Sequence, residues 1–244
     1  MTNQLFGTDE APHVFVRTCA DKVDVVGWQR QSVTVEGEGA RASSQSDGIV
    51  VDSDGELRIM MPINGRLSLN SIAPVPVTIK HVHGDISIEN CGALTVNNFR
   101  QVQVERVNGA LVGENGNGRL HINHVTEAVT LRRVDAVQIN QTDGDLSIQF
   151  ATGFIELGQV DGAVSLNSVN GDVAVGRARG DVAIQNVGGL NTITTDGALT
   201  LRGTFAHGEH RFTSAGDMVL DWPDAPLSPV TLLALTVVTA TCQP

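Results

Sequence analysis

Close pairs of histidines are the residues of this chain whose spacing most suggests metal chemistry. Six of the seven histidines fall into such pairs, and paired imidazoles can ligate zinc or copper. The pairs are His81/His83, His121/His124 and His207/His210. No cysteine or carboxylate stands at a recognisable ligand spacing beside them, and His81 and His83 flank the inward Val82, so both should point outward. We interpret them as solvated turn residues, and His210, at an inward apolar position, as a core or edge histidine with satisfied hydrogen bonds.

A calcium-binding β-roll is a second possibility, because aspartates follow several turn glycines. Such rolls draw carboxylates from successive turns of a nonapeptide repeat. The aspartates are Asp145, Asp172, Asp181 and Asp217. Alanine takes the same position in other repeats, as at Ala93, Ala110, Ala163 and Ala198. Because the carboxylates do not stack, the sequence predicts a solvated acidic edge and no calcium site.

Paired carboxylates also suggest glycoside cleavage, since parallel β-helices host pectin-cleaving enzymes. Asp143 with Asp145, or Asp161 with Asp172, could approach each other on one face at the roughly 5–10 Å that glycosidases use. Those enzymes also need a cleft built by long loops and aromatic platforms for sugar rings. The turns here are short and the chain has no tyrosine. A polysaccharide-binding or polysaccharide-cleaving β-helix is therefore the alternative hypothesis.

Other catalytic signatures are missing from the sequence. We find no Ser/His/Asp or Cys/His arrangement, and Gly113–Gly118 lacks the lysine and the strand-to-helix context of a phosphate loop. The prediction is a chain that is not an enzyme. It has no catalytic, cofactor-binding or metal-binding residues and needs no cofactor.

A nine-residue repeat organises the segments that carry these residues. Its glycines are Gly144, Gly153, Gly162, Gly171, Gly180 and Gly189. The first five are each followed by two apolar residues in alternation, as in Val173/Val175 and Val182/Ile184, and by a third apolar residue three positions later, whereas Asn191 takes the first of these positions after Gly189. Alternation places each pair on one face of a strand. The third position needs a bend, which we expect glycine, Asp-Gly and Asn-Gly to supply.

Short strands separated by corners, without helices, predict a solenoid. The expected fold is all-β: a single-stranded parallel β-helix of 8–10-residue units, in which each coil lies on the coil before it. Two units would give about 18 residues per coil and three about 27, and we favour the smaller coil. Inward Val, Ile and Leu should stack into ladders, and the outward positions should carry small or polar residues.

Regularity varies along the chain, which we expect to form one domain over residues 1–244. Residues 12–80 predict irregular N-terminal coils, with Gly37–Asp47 as a loop and proline ending a strand at Met61–Pro62. Residues 81–222 predict regular coils, and 223–244 a cap or tail. The apolar run Val230–Cys242 has about thirteen residues, fewer than the roughly 20 of a membrane-spanning helix. Any function should lie where regularity fails: Gly37–Asp47, the flexible turn expected at Gly113–Gly118, and His207–Trp222.

Composition limits the partners. The net charge is −11, which opposes nucleic-acid binding and anionic membrane surfaces. Three scattered cysteines, Cys19, Cys91 and Cys242, are too few for a disulfide framework, and Cys91 falls on an apolar position as a buried thiol. The sequence does not determine the compartment; the lack of a visible signal peptide favours the cytoplasm over the cell surface.

The repeat phrase, the valine-rich irregular N-terminal third and the Met60-Met61-Pro62 step together resemble the bacterial putative-adhesin (DUF4097-like) family of β-solenoid domains. The resemblance covers about residues 12–222. It implies a β-helix of short coils and brings no catalytic residues. We therefore expect an adhesin-like, non-enzymatic scaffold that presents an extended surface to a protein partner or to copies of itself, with no membrane insertion.

Overall fold

The computed structural model describes residues 2–70, 73–203, 209–222, 230–234 and 238–242. These residues form strands and no helix. The chain divides into two compact units, Met1–Thr126 (unit 1) and Glu127–Pro244 (unit 2).

Unit 1 contains fourteen strands among its described residues. They are β1 (Thr2–Gly7), β2 (His13–Thr18), β3 (Val23–Trp28), β4 (Ser32–Gly37), β5 (Arg41–Gln45), β6 (Gly48–Asp52), β7 (Leu57–Pro62), β8 (Arg66–Leu69), β9 (Val77–Lys80), β10 (Asp85–Cys91), β11 (Leu94–Asn97), β12 (Gln101–Val107), β13 (Leu111–Glu114) and β14 (Arg119–Val125). Sheet A1 has the order β1-β4-β7-β3-β9-β11-β13, and sheet B1 has the order β14-β12-β10-β8-β2-β6-β5.

The strand order of unit 1 differs from the sequential stacking that we expected. The coil formed by β2 and β3 lies between the coil of β6 and β7 and the coil of β8 and β9. β1, β4 and β5 pair antiparallel with their neighbours, so this end is not a single-stranded parallel helix. The prediction of a loop at Gly37–Asp47 was also wrong, because Arg41–Gln45 forms β5 and pairs with β6 as a hairpin.

Unit 2 contains thirteen strands among its described residues. They are β15 (Val129–Val134), β16 (Ala136–Thr142), β17 (Leu146–Ala151), β18 (Ile155–Val160), β19 (Val164–Val169), β20 (Val173–Ala178), β21 (Val182–Val187), β22 (Asn191–Thr195), β23 (Leu199–Arg202), β24 (His210–Ser214), β25 (Met218–Trp222), β26 (Val230–Ala234) and β27 (Val238–Cys242). Odd-numbered strands stack in sequence as sheet A2, β15 to β27, and even-numbered strands as sheet B2, β16 to β26.

Unit 2 confirms the predicted β-solenoid with about 18 residues per coil. Its strands pair in parallel, and Leu146, Val164 and Val182 stand in one register. The paired inward residues are almost completely buried: Val164, Leu166 and Ile184 each expose 1% of their surface. Burying apolar area on this scale contributes about 25 cal/mol per Å², and so the inward ladders stabilise the coil stack.

The bend before the third apolar position is made differently from our expectation. In sheet A2 it lies at non-glycine residues with positive φ: Arg133 (52°), Phe150 (61°), Ser168 (58°) and Asn186 (54°). Each stands one residue before an inward side chain of sheet A2. These corners hold L residues in the left-handed region, which is sparsely populated outside glycine and asparagine.

The repeat glycines are needed for close approach of successive coils. A Cβ on Gly162 would lie 2.6 Å from the carbonyl carbon of Gly144, and one on Gly180 would lie 2.7 Å from that of Gly162. Gly171 and Gly189 stack at the other corner in the same way, over Gly153 and Gly171 respectively. The nine-residue repeat is thus two glycine ladders, one for each corner of the coil.

The predicted turn at Gly113–Gly118 is shorter than we expected, because Gly113 and Glu114 belong to β13 and only residues 115–118 connect it to β14. Leu111–Glu114 forms β13 in register with β11. Gly116 occupies the third inward position, where a Cβ would lie 2.6 Å from Cε2 of Phe99. The Phe99 ring therefore fills the interior of two coils, and glycine in the second coil makes room for it.

Candidate functional surfaces

The outward side of sheet A2 is a row of short, uncharged side chains in strand register. We call this row the A2 face. Its members are Thr130, Ser147, Ser165, Ala183 and Thr200. The first four are exposed and Thr200 is half-buried. Beside them runs a second row of amides, Gln149, Asn167 and Gln185. Neighbouring strands lie about 4.8 Å apart, so the A2 face and the row beside it present hydroxyl and amide groups at a regular spacing.

The outward row of sheet B2 differs from the A2 face in charge. It contains Gln138, Glu156, Ala174, Thr192 and Arg211. Two of these five residues are ionisable, whereas the A2 face has none. The amide row beside the A2 face continues into Arg132 at one end and Arg202 at the other, so the difference in charge between the two sides of unit 2 is confined to the A2 face itself.

The corner aspartates bind the backbone of the next coil. Oδ1 of Asp145 accepts a hydrogen bond from the Ala163 amide at 2.8 Å, and Oδ1 of Asp181 accepts one from the Ala198 amide at 2.8 Å. At the opposite corner, Oδ1 of Asp172 accepts one from the amide of the residue after Gly189, at 2.9 Å. All three side chains are exposed, as the predicted acidic edge required. Sequence reasoning missed their structural role, although an aspartate after several of the turn glycines was visible.

The candidate glycosidase carboxylates are bound separately. Asp161 accepts from Gln159 Nε2 at 2.8 Å and from Arg179 Nη1 at 2.9 Å. Asp172 belongs to the other corner, because the glycines next to these two aspartates are in different ladders. The structure therefore does not bring Asp161 and Asp172 together. Asp143 accepts from Gln141 Nε2 at 2.9 Å.

The histidines are spread over different surfaces. His81 has φ 58° at a corner and its Nδ1 lies 2.9 Å from Asn98 Nδ2. His121 and His124 lie on β14, on the outward side of sheet B1. His207 lies outside the described residues. Within the described part of the chain, no three His, Cys, Asp or Glu side chains converge as a metal site would require.

His210 is buried, with 1% of its surface exposed, as we predicted. The Asn191 backbone amide donates to its Nδ1 at 3.2 Å, and the Asn191 side-chain amide lies 3.3 Å from the same nitrogen. Nδ1 is therefore an acceptor in this structure. The ring stacks on Phe212 with centroids 6.1 Å apart. Asn191 and His210 thus stand at inward positions that apolar residues occupy in the other coils.

His13 is a histidine that sequence reasoning did not single out. Its Nε2 lies 2.7 Å from Ser68 Oγ on the neighbouring strand. The centroid of its ring lies 3.7 Å from the centroid of the Phe15 ring. Burial, with a smaller contribution from Arg66, lowers the pKa of His13 below its ordinary 6.5. No signal in the sequence points to this contact, because β2 and β8 become neighbours only through the non-sequential coil order.

The described thiols are buried and poorly reactive. Cys91 has no exposed surface, which confirms the predicted buried position, and burial raises its pKa to about 12. Burial also raises the pKa of Cys19. Since the thiolate is the reactive species, neither residue is suited to nucleophilic chemistry at neutral pH.

Comparisons with known proteins leave the family open. No family model matches the chain, and no curated protein matches it. One solved structure, described as a putative cell adhesion protein from Clostridium sporogenes ATCC 15579, aligns with 91% of this chain and 99% of its own at 9% identity and a TM-score of 0.21. A similarity this low carries no argument about fold or function. No helix in the described residues is long and apolar enough to cross a membrane.

Proposed function

We propose that this chain is an adhesin-like, non-enzymatic β-solenoid scaffold that binds a protein partner through its extended outer surface. The observation that carries the proposal is the A2 face, a regular row of exposed short side chains with an amide row beside it. Such a surface offers many hydrogen-bonding groups at low cost in side-chain entropy. Asp145 and Asp161, which were considered for catalysis, instead form hydrogen bonds to residues of the next coil.

The A2 face suits a protein better than a polysaccharide because of its composition. Sugar rings bind on aromatic platforms, and the five residues of the face include no aromatic side chain. Peptide groups and polar side chains of a partner can instead pair with the hydroxyls and amides. Contact through this face leaves the buried ladders unchanged, so a rigid scaffold is consistent with it.

The test is site-specific crosslinking at the A2 face. A photoreactive phenylalanine analogue replaces Ser165 in the full chain, with the same replacement at Thr192 on sheet B2 as the matched control. We expect discrete crosslinked products with a protein from the native host at position 165 and not at 192. The additional substitution Ala183→Arg should remove them, because it places a long cation at the centre of the face.

Two results would overturn the proposal. The first is crosslinking at position 165 that is no stronger than at position 192. The second is release of reducing sugars from a polysaccharide by the purified chain, abolished by Asp161→Asn, which would support the enzymatic alternative.

A further inference from the structure

The terminal strand of sheet A1 has an open hydrogen-bonding edge. β1 pairs with β4 on one side only within the described residues. In the same register the Thr8 amide donates to the Gln31 carbonyl at 3.1 Å. Bonded and non-bonded pairs alternate along an antiparallel ladder, so the even-numbered residues of β1 bond to β4. The N–H and C=O groups of Asn3, Leu5 and Gly7 therefore point to the free edge.

The β1 edge lacks the features that usually prevent edge-to-edge pairing. Exposed edges are commonly protected by charged side chains, proline or a bulge. Thr2–Gly7 contains no charged residue and no proline, and its register with β4 is unbroken. Leu5 is 70% exposed, more than any other large hydrophobic residue described. An uncharged strand with an exposed leucine is an attractive template for another strand.

The other terminal strand at this end of unit 1 is partly blocked. The Ala42 amide of β5 points to the free edge, where it donates to Oε1 of Gln4 at 2.7 Å. β5 also carries Arg41, which forms an ion pair with Asp54 at 3.1 Å. The contrast identifies β1, and not β5, as the strand open to pairing.

We propose that β1 is a self-association edge, at which two copies of the chain pair β1 with β1 antiparallel about a twofold axis at Leu5. The proposal rests on the proposed function in that the chain acts through protein contacts. In this register Leu5 stands opposite Leu5 of the second copy, and Asn3 stands opposite Gly7. The outward groups of the two strands then form about six hydrogen bonds, and the two leucines bury each other.

The strand suits a second copy because it is self-complementary. Gly7 has no side chain and leaves room for Asn3 of the other copy. The net charge of −11 opposes association of two chains in general, but β1 adds no charge to the contact. The nearest acidic residue across the sheet, Glu36, accepts a hydrogen bond from Asn3 Nδ2 at 3.1 Å. Isologous contacts of this kind close as dimers.

The experiment combines oligomeric state with a register-specific crosslink on the full chain. Sedimentation of the wild type should show a concentration-dependent dimer, and Leu5→Lys should be monomeric. Val112→Lys, another exposed hydrophobic position of unit 1, is the matched control and should still dimerise. Circular dichroism and thermal unfolding establish that each variant is folded.

Cysteine crosslinking then tests the register in a Cys242→Ser background. In the proposed pairing the two Leu5 Cα atoms lie about 5.5 Å apart, within disulfide range. Leu5→Cys should therefore form a dimer under mild oxidation. Asn3→Cys should not, because its two Cα atoms would lie about 14 Å apart.

Each outcome decides the proposal. A dimer lost in Leu5→Lys and trapped by Leu5→Cys supports it. A strict monomer at all accessible concentrations overturns it, as does a dimer that survives Leu5→Lys or crosslinks equally at position 3. Crosslinking to a host protein at Ser165 in a chain that stays monomeric would leave the proposed function standing and reject only the β1 edge. Sugar release by a chain that dimerises through β1 would do the reverse.

Discussion

The packing of Phe99 against Gly116 predicts a strong energetic coupling between two coils. Phe99 is 1% exposed, and its ring lies where a Gly116 side chain would project. The φ angle of Gly116 is not in the left-handed region, so a larger residue there meets the ring without backbone strain. The equivalent position of sheet A2 holds valine at Val169 and Val187. Replacing both Phe99 and Gly116 by valine should therefore extend the valine ladder through these two coils.

The magnitudes follow from the change in interior volume. Phe99→Val leaves a cavity that glycine cannot fill, and we expect a loss of about 2–4 kcal/mol in the free energy of unfolding. Gly116→Val places two methyl groups against the ring and should cost about 1–3 kcal/mol or more by overpacking. In the double variant each change relieves the other. We expect it to be more stable than either single variant, with a coupling energy of about 2 kcal/mol or more.

Urea unfolding measures these differences, with circular dichroism for strand content and tryptophan fluorescence in a Trp222→Phe background, which leaves Trp28 as a probe within unit 1. Gly116→Val combined with Val169→Ala, a core change in unit 2, is the control pair and should be additive. Additivity of Phe99→Val and Gly116→Val would refute the argument, because it would mean that the ring does not occupy the space beside Gly116.

Three further predictions concern the corners and the N-terminal strands. Gly162→Ala should destabilise unit 2 by at least about 2 kcal/mol in urea unfolding, because the added Cβ meets backbone atoms. Gly7→Ala is the control and should change stability by less than about 0.5 kcal/mol, because its Cβ would meet open space. Equal losses of stability in the two variants would contradict the role of the glycine ladder. Asp145→Ala should lower the free energy of unfolding by about 1 kcal/mol, because the Ala163 amide loses its acceptor, and Asp145→Asn should recover most of that loss. If Asp145→Asn were as unstable as Asp145→Ala, the hydrogen bond would contribute nothing to stability. Because the pKa of His13 is lowered in the folded state, the folded protein binds fewer protons than the unfolded chain near pH 6.5. The urea midpoint should therefore fall as the pH drops through 6.5, and it should fall less in His13→Gln. Identical pH profiles of the two proteins would exclude this linkage.

The sequence was sufficient to predict the coil itself. Alternation of apolar residues at Val173/Val175 and Val182/Ile184 specifies which side of each strand is buried. The regular spacing allowed two or three strands per coil, and the strand register shows two. The first is a local property, and the second needed the strand register to be settled. Every further repeat in unit 2 reinforces the same solution, which explains why β15 to β25 follow the predicted pattern.

Corner geometry was not accessible in the same way. Arg133 and Phe150 adopt positive φ although neither residue type favours it. Their conformation is imposed by the inward side chain that follows and by the strand register on both sides. The outward positions were easier to predict than their hydrogen bonds, since the carboxylate of Asp145 meets its donor, the Ala163 amide, only when the next coil is in place.

The order of coils in unit 1 lies beyond what periodicity can encode. Inward pairs are interchangeable: Val14 aligns with Ile49 on one side and with Leu67 on the other, and any of these could stack on any other. What periodicity determines is membership of a coil, and the connections determine its neighbours. β2 therefore pairs with β8 across more than forty residues of chain, at an entropic cost that grows slowly with loop length. Because the first coil is internal, the end of unit 1 is built from β1, β4 and β5, whose antiparallel pairing the repeat did not predict. The edge proposed for self-association belongs to that end, in the segment that the repeat describes least well, whereas the A2 face lies in the segment that the repeat describes best.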